Sequence, residues 1–226
     1  MTPATPPGWF GKIPNLGDFV TRRLPDTFVR PWDDWLQHGL ALMRTRLFED
    51  ELEQCAGCRF WIGPGVLGEP SWMGILTPSV DRVGRRFPLT LAAPIDSGVE
   101  PTQSLAGALA AQEWFAALDR IVEQTRDEQF TADAVESALA ALQQESQDDV
   151  VDESLVDALL HRRCARAENV GALTDVESDA MLIGSALISI WWHVGAHQVN
   201  DFMHFDELPP PHALAKLLEA RGGAEF

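Results

Sequence analysis

Residues 71–94 read SWMGILTPSVDRVGRRFPLTLAAP. Trp72–Leu76 is an apolar run, and Phe87–Ala93 is a second, with Pro88 near its start. Short apolar runs bounded by turn residues predict strands that are covered on both faces. Between them lie Pro78, Ser79, Asp81, Arg82, Gly84, Arg85 and Arg86, an acid, a hydroxyl and three arginines in a turn-rich connection. Two buried strands would hold such a loop in a fixed place, and function concentrates on loops held that way. At its plainest, Asp81 caps the turn and pairs with Arg82 or Arg85, which is compatible with a functional role.

The stretch sits in a chain of 226 residues, 46% hydrophobic, with eight tryptophans and no tyrosine. That length allows one large domain or two small ones and a substantial core. The formal charge is −17, unevenly spread. Residues 1–100 hold 10 basic and 12 acidic residues, and residues 101–226 hold 7 and 22. An acidic surface repels phosphate backbones and anionic lipid, which argues against nucleic acid and membrane partners. The longest nearly apolar run, Ala180–Trp192, has 13 residues and is too short to span a bilayer. The opening MTPATPPGWFGK has no apolar signal-peptide core, and three cysteines do not make a disulfide framework. These features predict a soluble, cytoplasmic protein.

Upstream, residues 1–8 read as a loose Pro- and Thr-rich tail. Short strands are expected near Trp9–Ile13 and Phe19–Arg22, between frequent Gly and Pro. A helix should begin after Pro31, with Asp33 and Asp34 at its positive end. Its apolar face would be Trp32, Trp35, Leu36, Leu40, Met43 and Leu47, and it would end near Gln54. Arg59–Ile62 reads as a strand and Gly63–Pro70 as a turn. Downstream, one helix is expected from a cap at or beside Ser104 to about Arg126. Thr131 should cap another helix, with Val135 and Leu139 on its inner face. The acidic run QQESQDDVVDES reads as an exposed connection, followed by a helix from about Glu153 to Arg166 with Leu155, Val156, Leu159 and Leu160 inward. Ala186–His193 and Gln198–Phe205 read as paired strands, and His212–Ala220 as a final helix.

The expected fold is a single α/β domain over 1–226 with a helical middle section at 101–180. A central mixed, mostly antiparallel sheet would be flanked by helices as a layered α/β sandwich. Trp32 and Trp35 should face the sheet, and Trp191 and Trp192 should point to opposite faces.

Motifs for chemistry are weak. Cys55-Ala-Gly-Cys58 lacks two further zinc ligands and does not open a helix as a redox pair would. Gly63-Pro-Gly65-Val-Leu-Gly68 has dinucleotide-loop spacing, but Pro70 and a strand follow where a helix is needed, so a hairpin turn is expected. His193, His197, His204 and Asp201 could be drawn as a metal group, without the acid of a metalloprotease motif. Ser79, Asp81 and a distant His could be drawn as a triad, without a nucleophile elbow around Ser79. No cofactor, metal or catalytic centre is therefore expected.

The segments GWFGKIPNLGDFVTRRLPDTFVRPWDDWL, RFWIGPGVLG and SWMGILTPSVDRVGRRFPLTLAAP resemble the type VI secretion-associated TagF family. SIWWHVG and DELPPPHALAKLL are similar to that family's C-terminal pattern. Cys58 departs from it, standing where relatives often have Trp. The resemblance implies an accessory cytoplasmic protein, not an enzyme. It would repress secretion post-translationally by binding a forkhead-associated scaffold protein. Some relatives carry a fused phosphatase domain, whose metal-binding aspartate motifs are absent here. In the matching segments, Asp81 and Asp18 are the acids nearest Arg82 and Arg85. At least one Arg–Asp pair should tie the loop to the N-terminal segment, leaving the other Arg for a partner. Ser79, Asp81, Arg82, Arg85 and Asp18 are thus the candidate binding residues. The alternative is a ligand-sensing or enzymatic α/β domain using the Asp81-Arg82-Arg85 loop.

Overall fold

The structure is a computed structural model and describes residues 3, 5–44, 57–127, 129–142, 154, 156–159, 188–194 and 202–218. Leu47, the expected helix end near Gln54, Cys55 and Cys164 lie outside these residues, as do the acidic stretch 143–153, Leu155, Leu160, His197 and Asp201.

The two apolar runs of the opening stretch are β4 (Ser71–Thr77) and β5 (Leu89–Ile95), paired antiparallel with Ile75 opposite Leu91. β5 starts two residues later than the apolar pattern suggests. Phe87 N–H is engaged by the Ser79 carbonyl, and Pro88 has no N–H to offer a ladder. The hairpin is extended on one side by β1 (Gly8–Gly11) and β2 (Val20–Arg22). On the other side lie β3 (Cys58–Ile62), β6 (Ser189–His193) and β7 (Phe202–Phe205). The sheet order is β2-β1-β5-β4-β3-β6-β7, and every pairing is antiparallel, so the expected mixture resolves wholly to that side.

Both faces of the sheet are covered, which is why its central strands read as unbroken apolar runs although they are antiparallel. One face carries Trp72, Leu76, Phe60 and Trp191 against α1 (Asp26–Arg44) and the short α5 (Leu214–Leu218). The other carries Trp9, Trp61, Met73, Ile75, Leu91 and Trp192 against α2 (Pro101–Ala110), α3 (Gln112–Gln124) and α4 (Ala132–Ala141). Val156 and Leu159, in a helical stretch at 156–159, join this second core. Trp191 and Trp192 therefore face opposite ways and both are buried. Burying a large apolar side chain stabilises by about 1.5–3 kcal/mol, so the aromatic set Phe28, Trp32, Trp35, Phe60, Trp72 and Trp191 is a major term. The indole N–H groups here also find acceptors: Trp32 donates to Thr90 Oγ1 at 2.8 Å and Trp35 to the Pro209 carbonyl at 2.6 Å. Gly74 sits where a Cβ would come within 2.3 Å of the Leu91 carbonyl oxygen and 2.7 Å of the Phe60 ring. Only glycine lets β5 and that ring close over β4.

Four boundaries differ from the sequence expectation. α1 begins at Asp26, not after Pro31. The Pro25 carbonyl accepts from Phe28 and Val29 N–H, both at 2.9 Å, and starts the helix one and a half turns early. Pro31 then lies inside the helix, and burial of Phe28 and Trp32 outweighs the lost backbone bond. The long helix expected up to Arg126 is broken at Ala111 (φ −73°, ψ 48°), where Gln112 Nε2 donates to the Leu109 carbonyl freed by the break. Ser104 is no cap but a buried acceptor for Trp61 Nε1 at 2.9 Å, three residues beyond Pro101, which opens α2. The final helix is divided into a 3-10 turn at Pro211–Ala213 and α5. Nor is the N-terminus wholly loose. Pro3 and Pro7 are buried, and the Pro7 carbonyl accepts from Arg23 Nε and Nη2 at 3.0 and 2.7 Å. The Thr131 cap is found, its Oγ1 accepting from Ala134 N–H at 3.3 Å.

Candidate binding site

The loop from β4 to β5 lies against the loop from β1 to β2, because β1 pairs with β5 and brings residues 12–19 beside residues 78–88. An isolated bridge, Val80 opposite Arg86, narrows the loop at its base. Above it, Asp81 N–H donates to the Arg85 carbonyl at 3.0 Å and Gly84 N–H to the Asp81 carbonyl at 2.9 Å. Gly84 has φ +82°, a left-handed conformation that glycine adopts without strain.

Asp81 is the centre of this turn. Its Oδ1 accepts from the backbone N–H groups of Val83 and Arg85 at 3.0 and 2.8 Å. Its Oδ2 accepts from Lys12 Nζ at 2.8 Å and Arg85 Nε at 2.6 Å. Burial alone would push the carboxyl up. The bonds from Lys12 and from the backbone and side chain of Arg85 outweigh it and hold the group well below the usual carboxylate range. Lys12 is itself 4% exposed, and its ammonium lies 4.8 Å from the centroid of the Phe19 ring. The Lys12 carbonyl accepts from Ser79 Oγ at 2.7 Å. Arg85 also reaches the Gly17 carbonyl with Nη2, and Arg82 N–H donates to the Leu16 carbonyl at 3.3 Å.

Ser79, Asp81, Arg82 and Arg85 are thus brought together as expected, but Asp18 is not. It is exposed, and the tie between the two loops is made by Lys12 and by the Leu16 and Gly17 carbonyls. Lys12 was missed by sequence reading. Its only available signal is that it is one of two lysines in the chain, set within a glycine- and proline-punctuated segment. The Arg82 side chain is exposed and makes no ion pair or hydrogen bond among the described residues. Phe19, packed edge-on against Phe87 at 4.6 Å, is 51% exposed, and Val83 is 67% exposed. Rigid loops thereby present an apolar and cationic surface on an acidic protein.

The other motifs do not assemble. The Gly63–Gly68 segment is the β3–β4 hairpin turn, with Gly65 N–H donating to the Gly68 carbonyl at 2.7 Å. Cys58 is buried in β3, and burial pushes its thiol well up, away from the thiolate that metal or redox chemistry uses. His193 is buried, with Nε2–H donating to the Leu217 carbonyl at 3.0 Å. Ser79 Oγ donates to the Lys12 carbonyl, and among the described residues no His side chain is bonded to it. Among the described residues, no group of three or more His, Cys, Asp or Glu could hold a metal ion, and no helix is long and apolar enough to cross a membrane.

A three-layer sandwich with an all-antiparallel sheet and a braced polar loop defines the class of this protein: an α/β domain whose distinctive chemistry lies on a loop surface. A family model for the TagF N-terminal domain, type VI secretion system-associated, matches residues 8–142, and the chain belongs to that family. The crystal structure of PA0076 from Pseudomonas aeruginosa PAO1 is similar, with a TM-score of 0.67 and 28% sequence identity over 97% of each chain. Comparison with curated protein sequences gave no match.

Proposed function

We propose that this protein restrains type VI secretion post-translationally by binding a protein partner, a forkhead-associated scaffold of the secretion machine, with no catalytic step of its own. The supporting observation is the braced loop, in which Asp81 is committed to Lys12, Arg85 and two backbone amides while Arg82 and Val83 of that loop and Phe19 of the facing one stay exposed. An aspartate with four donors and a depressed pKa is a poor proton acceptor, so the enzymatic alternative loses its natural base. As a brace it suits a binding surface, because a loop already ordered loses little entropy on docking. Arg82 offers a planar fork to a partner carboxylate or phosphate, flanked by apolar area. This role belongs to the cytoplasm, where the scaffold would be met.

The test is a pair of substitutions. Arg82→Ala should leave the melting temperature unchanged and weaken both scaffold capture and repression of secretion. Arg85→Ala should lower the melting temperature by a few degrees, because the Asp81 brace loses one of its donors. Full repression and full capture by a folded Arg82→Ala protein would sink the proposal.

A further inference from the structure

A hollow of about 320 Å³ opens where the start of β3 and the ends of β4 and β6 meet α3. The volume lies at the lower end of small-molecule sites, roughly 300–1,000 Å³. Among the described residues its lining is of mixed charge: Arg59 and Arg126 are cations, Asp119 and Glu123 carboxylates. These four charges balance, so the hollow favours neither an anion nor a cation. Ile75 and Val122 add apolar area. His193 also borders it, with Nε2 engaged by the Leu217 carbonyl at 3.0 Å. Arg126 Nη1 and Glu123 Oε2 are bonded to each other at 3.0 Å on the exposed side of α3.

Arg59 is the group whose bonding is incomplete. It is 5% exposed, and its Nη1 and Nη2 donate to Gln112 Oε1 at 2.7 Å and Asp119 Oδ2 at 3.0 Å. Its Cζ lies 4.9 Å from the centroid of the Phe115 ring, which with those two bonds holds the planar group in one orientation. Its Nε is buried and has no hydrogen-bond partner among the described residues. A buried donor left without an acceptor is uncommon in folded proteins, and a bound acceptor is one way to satisfy it. Nε–H and Nη2 share one edge of the guanidinium, so the orphan donor sits beside the Asp119 carboxylate. A second carboxylate brought to Nε would meet like charge at once. A neutral carbonyl would not, and an N–H next to that carbonyl would face Asp119.

We propose that this hollow binds a small neutral molecule with a cis-amide edge, a carboxamide, urea or lactam. Its carbonyl accepts from Arg59 Nε–H, its N–H donates to the Asp119 carboxylate, and its planar body lies against Ile75 and Val122. A few convergent polar groups beside apolar area are the usual composition of such sites. The site is separate from the Arg82 surface and stands whether or not Arg82 meets a protein partner.

Benzamide, benzoate and benzamidine are the probes. They share one ring and differ at the head: acceptor with donor, acceptor alone, donor alone. Each is titrated into the isotopically labelled full-length protein while the Arg59 Nε–H resonance is followed by NMR, identified by its loss in Arg59→Lys. Benzamide should shift that resonance saturably, and benzoate and benzamidine should bind about tenfold less well. Asp119→Asn should remove the repulsion and bring benzoate at least level with benzamide. Arg59→Lys keeps the charge but lacks the donor edge and should lose the preference for benzamide, whereas Arg82→Ala should keep it. Asp119 is 43% exposed, so Asp119→Asn keeps the test sound if Arg59→Lys fails to fold. Absence of a saturable shift at Arg59 Nε–H, as for a donor met by water only, would overturn the proposal. So would benzoate binding the parent as tightly as benzamide, or an unchanged preference in Asp119→Asn.

Discussion

Asp81 shows how one residue can brace a loop. Its carboxylate is buried against four donors, and the two cations differ in kind. Lys12 is buried on the far side of the contact, while the Arg85 side chain is 58% exposed. Lys12 should therefore matter more. The pH dependence follows from the depressed pKa. The folded protein holds the proton more weakly than the unfolded chain, whose aspartate titrates near 3.8. The stabilisation is complete above that value and is lost as pH falls below it toward the folded pKa. Chemical denaturation of the parent should show stability dropping below about pH 4, and Asp81→Asn should start lower and flatten that drop. Parallel pH profiles for the two proteins would show that Asp81 carries none of the acid sensitivity.

At the scale of elements, α1 carries the most information. Trp35 is 5% exposed and lies among Trp32 and Trp191, with ring centroids 5.0 and 5.5 Å away. Trp35→Ala should cost about 3–5 kcal/mol in denaturant melts, as for other large-to-small core changes. A loss under about 1 kcal/mol would mean that the helix face is misassigned. Pro31 offers the opposite test on the same helix. It is exposed, sits within α1 and lacks the N–H that would bond Thr27. Proline in a helix interior is about 3 kcal/mol worse than alanine, and its stiffening of the unfolded chain returns up to about 1 kcal/mol. Pro31→Ala should therefore stabilise by about 1–2 kcal/mol, smaller than the full difference because the position is near the helix start. A drop in stability would show that the ring itself has a packing role.

Across the whole molecule, the sheet is closed by strands that come late in the chain. β6 covers the edge of β3 with Trp61 opposite Ile190, and Trp191 and Trp192 enter one core each. A fragment of residues 1–142, the region covered through the family match, loses β6, β7 and α5 together. It should aggregate or melt without cooperativity, because the β3 edge is exposed and both cores lose large side chains, Trp192 and Phe202 from one and Trp191, Leu214 and Leu217 from the other, leaving too little burial to offset chain entropy. A cooperative melt close to that of the full chain would show instead that the N-terminal portion is a domain by itself.

Local patterns determined much of this protein. The strands of the opening stretch, the turn at Gly63–Gly68, the Thr131 cap and the opposite facing of Trp191 and Trp192 were all legible from residue type and spacing. They depend on interactions within a few residues, and such interactions leave a periodic trace. The clustering of Ser79, Asp81, Arg82 and Arg85 was legible for the same reason, since one turn holds them all. Partners distant in the chain were not. Lys12 meets Asp81 across 69 positions, and no local pattern marks which cation a buried aspartate will take. The break at Ala111 and the early start at Asp26 went against helix signals that read well locally, because tertiary burial of Phe28, Ala111 and Trp114 outweighs propensities of under about 1 kcal/mol per residue. The order of the sheet, and with it the meeting of the two loops, was decided only when β1 paired with β5. Strand pairing is a property of the assembled sheet and carries no signature in any single strand.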